Sequence, residues 1–385
     1  MDYNTVMKKV SATIFVFSLV CACIFAQIGG HPRFSSQAAA IAASLDDSTL
    51  AAQVLLTGID GRASLSTDMK ALLERMPAGG IMLFRYNLDS TKAEVKKLLS
   101  EAYDLVALGA GIPPFMAVDH EGGLVQRFGP GVERLPSALS FWELAQREGR
   151  AAALARAETL YRRSAVEIRE LGITLVLGPV AEILDGENGV FLETRSYGSD
   201  PAFTEAAAAV FVRSMDAEGI ACVVKHFPGN SAADPHRGVS VLTDGKAALD
   251  GMVRPFAGII SRAAPQAVMV SHVLVPALDG EHNASLSRAV IEGWLRGELG
   301  FEGIVLADDF AMGAVASSGI SPAAAAVEAL NAGIDMIMVW PNNIAAVHAS
   351  ILGALEDGRL SRERLLEAAG RIIEGKIRYG LIVVE

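Results

Sequence analysis

Eight apolar segments of five to seven residues recur along the chain and constrain its fold more than any other feature. One of them, Ile220–Val224, has β-branched residues and no polar alternation, which is typical of a parallel strand covered on both faces. The segments are Gln53–Ile59, Gly80–Phe84, Pro114–Val118, Ile173–Leu177, Ile220–Val224, Ala267–Ser271, Gly303–Ala307 and Ile334–Val339. Their number and spacing predict repeated strand–helix units.

The intervening segments have helical spacing and recognisable ends. Asp200-Pro201 and Ser321-Pro322 each predict a helix start with proline at the first helical position, and Gly333 predicts a helix end. Eight strands alternating with helices predict an α/β fold, a single (β/α)8 TIM-type barrel over residues 48–385. An open doubly wound sheet is the alternative, but no G-x-G-x-x-G turn follows the first strand.

The N-terminus precedes this pattern and reads as an export segment. Lys8-Lys9 are followed by an uncharged apolar run from Val10 to Ala26. Residues 1–26 are therefore a signal peptide, a lipoprotein signal with lipidation at Cys23, or an uncleaved membrane anchor. Residues 27–47 are small and polar and predict a linker. We expect an exported protein that is periplasmic, membrane-anchored or extracellular.

Composition narrows the classes of partner and site. The formal net charge of −11 argues against nucleic acid or an anionic membrane as the main partner. Cys21 and Cys23 lie in the export segment and only Cys222 lies in the predicted barrel, so neither an internal disulfide nor a cysteine zinc cluster is expected there. Cys222 is predicted to be a small buried apolar side chain.

Ionisable residues stand where several predicted strands end. They are Asp119, Lys225-His226, His272 and Asp308-Asp309. Because the loops at the carboxyl ends of barrel strands build the active site, these side chains predict one polar pocket. Unrelated solvated strand ends are the alternative.

A carboxylate held on a rigid strand end is suited to act as a nucleophile. Asp308 follows an apolar strand directly, and Asp309 should point elsewhere because side chains alternate along a strand. The loop after the fifth strand carries His236 with Asp234 two residues away, and a carboxylate beside an imidazole favours an acid/base role. A plain surface loop is the alternative for that pair.

A metal site is the rival chemistry, with ligands from Asp119, His226, His236, His272 and Asp308, but no H-x-x-x-H or H-E-x-x-H spacing occurs.

Five motifs together resemble glycoside hydrolase family 3, in its bacterial β-N-acetylhexosaminidase branch. The resemblance covers residues 48–380. In chain order the motifs are Val118-Asp119-His120-Glu121-Gly122-Gly123 with Val125-Gln126-Arg127-Phe128, Thr194-Arg195-Ser196-Tyr197-Gly198, Lys225-His226-Phe227-Pro228-Gly229, Ala284-Ser285-Leu286-Ser287, and Gly303 to Met312.

The resemblance implies a retaining exo-β-N-acetylhexosaminidase that releases terminal β-linked N-acetylglucosamine from peptidoglycan or chitin-like fragments. Asp308 would be the nucleophile and His236 the acid/base, tuned by Asp234. A further set of residues would bind the terminal sugar: Asp119, Arg127, Arg195, Lys225 and His226. No cofactor is implied. We expect an oligosaccharide or glycopeptide substrate, membrane attachment only through the N-terminus, and a monomer.

Three positions depart from the family's pattern. His120 stands where glutamine is usual, Asn230 where histidine is usual, and Ala307 where serine or threonine is usual. They keep alternatives open: a β-glucosidase or phosphorylase of the same family, or a non-catalytic sugar-binding lipoprotein.

Overall fold

A computed structural model of the chain describes residues 35–129, 131–233, 238, 240–310 and 319–384. The export segment 1–26, the start of the predicted linker, and the predicted pair Asp234 and His236 lie outside the described residues. None of the helices in the described ranges is long and apolar enough to cross a bilayer.

Eight parallel strands close into a barrel, as the sequence predicted. Each strand pairs in parallel with its two neighbours, and the strand at Gly80–Leu83 pairs with both Leu55–Gly58 and Phe115–Gly122, which closes the sheet. In order around the barrel the strands are β1 (Leu55–Gly58), β2 (Gly80–Leu83), β3 (Phe115–Gly122), β5 (Leu175–Val180), β6 (Ala221–Phe227), β7 (Ala267–Val270), β10 (Ile304–Ala307) and β11 (Met336–Val339). Every predicted strand is present, and the (β/α)8 fold is confirmed.

Three short strands lie outside the barrel wall. β4 (Val125–Gln126) pairs antiparallel with the end of β3, and β8 (Leu274–Val275) pairs with β9 (Asp279–Asn283). Both hairpins lie in segments that follow the carboxyl ends of barrel strands, β3 and β7.

Helices surround the barrel between successive strands. They are α1 (Ser36–Ser44), α2 (Asp47–Gln53), α3 (Thr67–Arg75), α4 (Arg85–Leu88), α5 (Lys92–Ala110), α6 (Ala138–Glu148), α7 (Arg150–Glu170), α8 (Gly189–Leu192), α9 (Pro201–Asp216), α10 (Lys246–Met252), α11 (Arg254–Ala263), a 3-10 turn (Ala284–Leu286), a π-helix (Ala289–Glu298), α12 (Pro322–Ala332), α13 (Ile344–Glu356) and α14 (Arg362–Arg378). The predicted caps are present, since Asp200 and Ser321 accept hydrogen bonds from the first turns of α9 and α12.

The core consists of the strands and the inner faces of these helices. All residues of β1, β2, β5, β6, β7, β10 and β11 are buried. Cys222 is buried on β6 as a free thiol, as predicted. A barrel wall that is apolar on both faces holds its strand ends rigidly, which is what a site built on those ends requires.

Part of the predicted linker is a helix. α1 begins at Ser36, with Ser35 as its N-cap, and its buried residues Ala38 and Ala42 face the side on which α1 packs against α14. Five alanines in nine residues favour a helix, and their small side chains allow close approach to a neighbour. The linker prediction for residues 27–47 is therefore corrected from Ser36 onward. Small side chains favour a flexible linker, but here they allow a helix to pack closely.

A closed set of ion pairs lies at the amino end of the barrel. The carboxylate of Asp335, just before β11, accepts hydrogen bonds from Arg371 at 2.8 Å, Arg364 at 2.9 Å, Arg296 at 2.6 Å and the Val305 backbone N–H at 3.0 Å. Burial opposes ionisation, but the three guanidinium groups outweigh it and lower the pKa of Asp335 to about 2. We call Arg296, Asp335, Arg364 and Arg371 the base cluster.

Candidate active site

The predicted strand-end residues meet at the carboxyl end of the barrel. Lys225, on β6, is only 3% exposed, and its Nζ lies 2.8 Å from Asp119 Oδ1 and 2.7 Å from Glu121 Oε1 on β3. Burial disfavours a charged lysine, but the two carboxylates outweigh it and raise the pKa of Lys225. An ammonium group is therefore fixed between two carboxylates at the mouth.

Arg195 completes this set of charges. Its guanidinium binds Glu121 in a bidentate pair, with Nε to Oε2 at 2.8 Å and Nη2 to Oε1 at 2.9 Å. Burial opposes ionisation of Glu121, but Lys225 and Arg195 outweigh it and hold its pKa well below the usual range. We call Asp119, Glu121, Arg195 and Lys225 the rim cluster.

Glu121 is not among the site residues predicted from the sequence, although its position is informative. The third predicted strand ends at Val118, whereas β3 continues to Gly122. Side chains two apart on a strand face the same side, so Glu121 faces the same way as Asp119. The i, i+2 spacing of the two carboxylates was the signal for a shared cation.

Arg127 follows β4 and reaches the same pocket from the side. Its Nη2 lies 3.4 Å from Asp119 Oδ2, and its side chain is 30% exposed. This contact is longer than the one that Lys225 makes. Arg127 therefore remains accessible to a ligand, as its predicted sugar-binding role requires.

His226 is held by a glutamate that the sequence analysis also missed. Its Nδ1 lies 2.6 Å from Glu182 Oε1, and the other oxygen of Glu182 accepts from the Asn230 backbone N–H at 2.7 Å and from its Nδ2 at 3.2 Å. Because a carboxylate only accepts, Nδ1 carries the proton, and Nε2 is the acceptor when the ring is neutral. Asn230, one of the three departures, thus helps to orient Glu182.

The Glu182 omission has a local cause. The fourth predicted segment ends at Leu177, where Gly178-Pro179 interrupts the apolar run. In the structure β5 continues through both residues to Val180, and Glu182 follows two residues later at the same rim. When a strand passes through a Gly-Pro pair, the pattern of apolar residues does not locate the end of the strand.

Asp308 lies directly after β10, as predicted, and is partly exposed. Its backbone N–H donates to the carbonyl of Val270 at 3.1 Å, and its Oδ1 accepts from the Asp309 N–H at 2.9 Å. Burial opposes its ionisation, but His226, the Asp309 amide and Lys225 contribute to lowering the pKa of Asp308. The residue is an ionised carboxylate at neutral pH, mounted on the barrel wall.

Asp309 points away from Asp308, as the strand alternation predicted. Its Oδ2 accepts from Trp340 Nε1 at 2.8 Å, and its backbone carbonyl accepts from His272 Nε2 at 3.0 Å. His272 is fully buried, accepts from Ser285 at Nδ1 (2.7 Å), and has a pKa lowered by that burial. Neutral His272 therefore fixes the backbone next to Asp308.

The predicted acid/base pair, Asp234 and His236, falls outside the described residues, so its position stays a prediction. The described ends of its loop lie together: Ser231 donates from its backbone N–H to Ser240 Oγ at 2.9 Å, and the two hydroxyls are 2.8 Å apart. Ser231 directly follows Asn230, which binds Glu182. The two described ends of this loop therefore lie next to Asn230, which contacts the carboxylate that binds His226.

Two of the three histidines considered as metal ligands, His226 and His272, have protein partners. His226 Nδ1 faces Glu182, and both ring nitrogens of His272 are hydrogen-bonded. Within the described ranges, no three His, Cys, Asp or Glu side chains form a group that could hold a metal ion. The arrangement offers an ionised carboxylate near paired cations and carboxylates, which suits binding and attack on a hydroxylated substrate.

Comparison with known proteins points to one family. The model of the glycosyl hydrolase family 3 N-terminal domain matches residues 49–374. A β-hexosaminidase from Methylococcus capsulatus is 35% identical over 316 residues, covering 80% of this chain and 89% of that protein. The β-hexosaminidase LpqI of Mycobacterium tuberculosis is 32% identical over 345 residues, covering 86% and 82%.

Solved structures agree in fold. A family 3 β-N-acetylglucosaminidase from Paenibacillus superposes with a TM-score of 0.80 and 32% identity, covering 89% of this chain and 65% of that one, so this chain spans just under two thirds of its length. A family 3 member from Mycobacterium smegmatis superposes with a TM-score of 0.76 and 30% identity, covering 87% and 98%.

Proposed function

Because the chain belongs to glycosyl hydrolase family 3, we propose that it is a retaining exo-β-N-acetylhexosaminidase. It releases terminal β-linked N-acetylglucosamine from peptidoglycan or chitin-like fragments. The observation that carries the proposal is an ionised, partly exposed Asp308 on the rigid end of β10, beside the rim cluster. The similar β-hexosaminidases and β-N-acetylglucosaminidase support the choice of sugar.

Asp308 attacks the anomeric carbon and forms a glycosyl-enzyme. Its low pKa keeps it ionised, and its backbone hydrogen bond to β7 fixes its direction of approach. His236, supported by Asp234, protonates the leaving oxygen and then removes a proton from the attacking water. Water attack at the same carbon restores Asp308 and gives net retention.

The charged groups that bind the terminal sugar differ in how far their side chains are exposed. Arg127 is the more exposed donor, and Asp119 is 19% exposed, so both can exchange solvent for sugar hydroxyls. Lys225 and Arg195 hold Glu121 and Asp119 in place and donate their remaining protons to the sugar. His226, oriented by Glu182, faces the same pocket near Asp308.

The cellular setting of the proposal rests on the N-terminus. The basic and apolar segment over 1–26 supports export, followed by cleavage, lipidation or retention as an anchor. We propose a monomer that acts outside the cytoplasm. Intact-mass analysis of the native protein distinguishes the three fates of the N-terminus.

The experiment is a panel of aryl β-glycosides that includes an N-acetylglucosaminide, run with and without phosphate. The wild type should hydrolyse the N-acetylglucosaminide best and independently of phosphate. Asp308→Ala should lose nearly all turnover, while Asp104→Ala, an exposed aspartate on α5, should retain it. Phosphate-dependent cleavage would identify a phosphorylase, preference for glucosides a β-glucosidase, and sugar binding without turnover a non-catalytic protein.

The acid/base role of His236 has a separate signature. His236→Ala should slow glycosylation strongly for substrates with poor leaving groups and weakly for aryl glycosides with good ones, because good leaving groups need little protonation. Single-turnover rates across a series of leaving groups measure this. Equal slowing for all of them would remove His236 from the acid role.

A further inference from the structure

One arc of the barrel mouth is aromatic. Phe84 follows β2, Tyr86 lies in α4, and Trp340 follows β11. The rings of Phe84 and Tyr86 are parallel, with centroids 5.9 Å apart, and Phe84 meets Trp340 edge-on at 5.0 Å. We call these three side chains the aromatic wall. Tyr86 is 45% exposed, and the other two are partly exposed.

The wall is held in place by specific hydrogen bonds. The Tyr86 hydroxyl donates to the carbonyl of Ile59 at 2.6 Å, and Trp340 Nε1 donates to Asp309 Oδ2 at 2.8 Å. Gly58 lies beneath it, where a Cβ atom would come within 3.3 Å of Phe84 and 3.5 Å of Trp340. The rings are therefore pre-positioned surfaces, which reduces the ordering cost of binding.

The mouth divides into two chemically distinct arcs. The rim cluster and Glu182 come from β3, β6 and the segments after β5, whereas the wall comes from the segments after β2 and β11, the two neighbours of β1. Asp308, on β10, is next to the wall's strand β11 in the barrel, and its neighbour Asp309 contacts Trp340. The reacting carboxylate thus lies at the border between a charged arc and an aromatic arc.

A pyranose presents both kinds of surface. Its hydroxyls match charged donors and acceptors, and its C–H faces match aromatic rings. The charged arc provides the groups that bind the sugar that is cleaved. The aromatic arc, on the other side of Asp308, is left for the ring on the leaving side of the scissile bond.

We propose that the aromatic wall binds the leaving-group sugar, with the C–H face of a pyranose ring against Trp340 and Tyr86. This rests on the proposed glycosidase function and adds the requirement that the favoured substrate carries a sugar, rather than a small alcohol, as its leaving group. The same surface binds a sugar that competes with water for the glycosyl-enzyme.

The test compares two substrates that share the cleaved sugar. N,N′-diacetylchitobiose has a pyranose leaving group, and 2,2,2-trifluoroethyl β-N-acetylglucosaminide has a leaving alcohol of similar acidity without a ring. The readout is the ratio of kcat/KM for the first over the second. This ratio cancels any defect in Asp308 or in the binding of the cleaved sugar.

The variants separate the aromatic face from the Asp309 contact. Trp340→Leu removes both, and Trp340→Phe removes only the Nε1 hydrogen bond while keeping a ring. Loss of one apolar stacking face should lower the ratio about tenfold in Trp340→Leu, with a smaller fall in Tyr86→Leu and little change in Trp340→Phe. Leu108→Ala, at an exposed apolar residue on α5, should leave the ratio unchanged.

Two failures are distinguishable. If Trp340→Leu and Tyr86→Leu lower both rates by the same factor, or leave the ratio at its wild-type value, the aromatic wall does not bind the leaving group. Because Tyr86 is exposed, its variant gives this answer even if Trp340→Leu does not fold. If the wild type cleaves neither N-acetylglucosaminide, it is the proposed function that fails.

Discussion

The rim cluster and the base cluster lie at opposite ends of one barrel and differ in how completely their charges are paired. In the base cluster, Asp335 is fully buried and receives four hydrogen bonds, so its carboxylate has no capacity left. In the rim cluster, Asp119 keeps 19% of its side chain exposed, and its contact with Arg127 is 3.4 Å long. Fully paired charges stabilise the fold, whereas partly paired charges at the mouth keep polar atoms available to bind a ligand.

Two buried lysines repeat the contrast. Lys225 at the rim has two carboxylate partners and a raised pKa. Lys376 in α14 is equally buried at the amino end, where its Nζ donates to the side-chain oxygen of Gln53 at 2.7 Å and lies 5.8 Å from the ring centre of Phe115. Burial lowers its pKa to about 7. A buried lysine thus stays charged at the carboxyl end of the barrel, whereas the one at the amino end titrates near neutral pH.

The largest expected effect is at the base cluster. Asp335→Asn keeps the shape but removes the buried carboxylate that three guanidinium groups share, and leaves them facing the partly exposed Glu292 and Glu367. The free energy of unfolding should therefore fall by about 3–5 kcal/mol. Because Asp335 lies at the far end from the mouth, kcat/KM per folded molecule should stay at its wild-type value. Urea unfolding and active-site titration measure the two quantities. A variant with wild-type stability and impaired turnover would contradict the assignment of the base cluster to stability and the rim cluster to catalysis.

At the rim, the expected loss is mainly catalytic. Lys225→Met should lower kcat/KM by about 10²–10³-fold, the range seen when one preorganised donor is removed from a site. Lys70→Met, which breaks an exposed pair with Glu101, is the matched control and should change neither activity nor stability by more than about 1 kcal/mol. Equal activity in both lysine variants would show that the rim cluster is only structural.

Lys376 predicts a pH dependence of stability. Its folded pKa of about 7 is below the ordinary value of 10.5, so between these values the unfolded chain binds more protons than the folded one. Stability should therefore rise with pH across that window, by at most about 1.4 kcal/mol per pH unit from this group. Lys376→Met should flatten this part of the curve measured by urea unfolding. An unchanged slope would mean that Lys376 titrates normally.

The sequence predicted the barrel because parallel strands buried on both faces leave continuous apolar runs, and it predicted Asp308 because that residue ends such a run. It placed the ends of β3, β5 and β6 too early, and β6 continues through Lys225 and His226 to Phe227. β3 carries Asp119 and Glu121 inside its hydrogen-bonded ladder, where ion pairing replaces apolar burial, and β5 continues through a Gly-Pro pair toward Glu182. These pairings depend on residues about 75 to 105 positions apart in the chain, which no local pattern encodes. α1 was missed because its alanines indicate packing only once α14 is in place.

The most direct test of the central claim is to trap the glycosyl-enzyme. The full chain is incubated with a 5-fluoro derivative of N-acetyl-β-glucosaminyl fluoride, digested, and analysed by peptide mass spectrometry, with Asp308→Ala in parallel. The account predicts one added fluoro sugar per chain, on the carboxylate of Asp308, and no adduct in the variant. An adduct on Asp309 or Asp119, or a labelled Asp308→Ala chain, would contradict it.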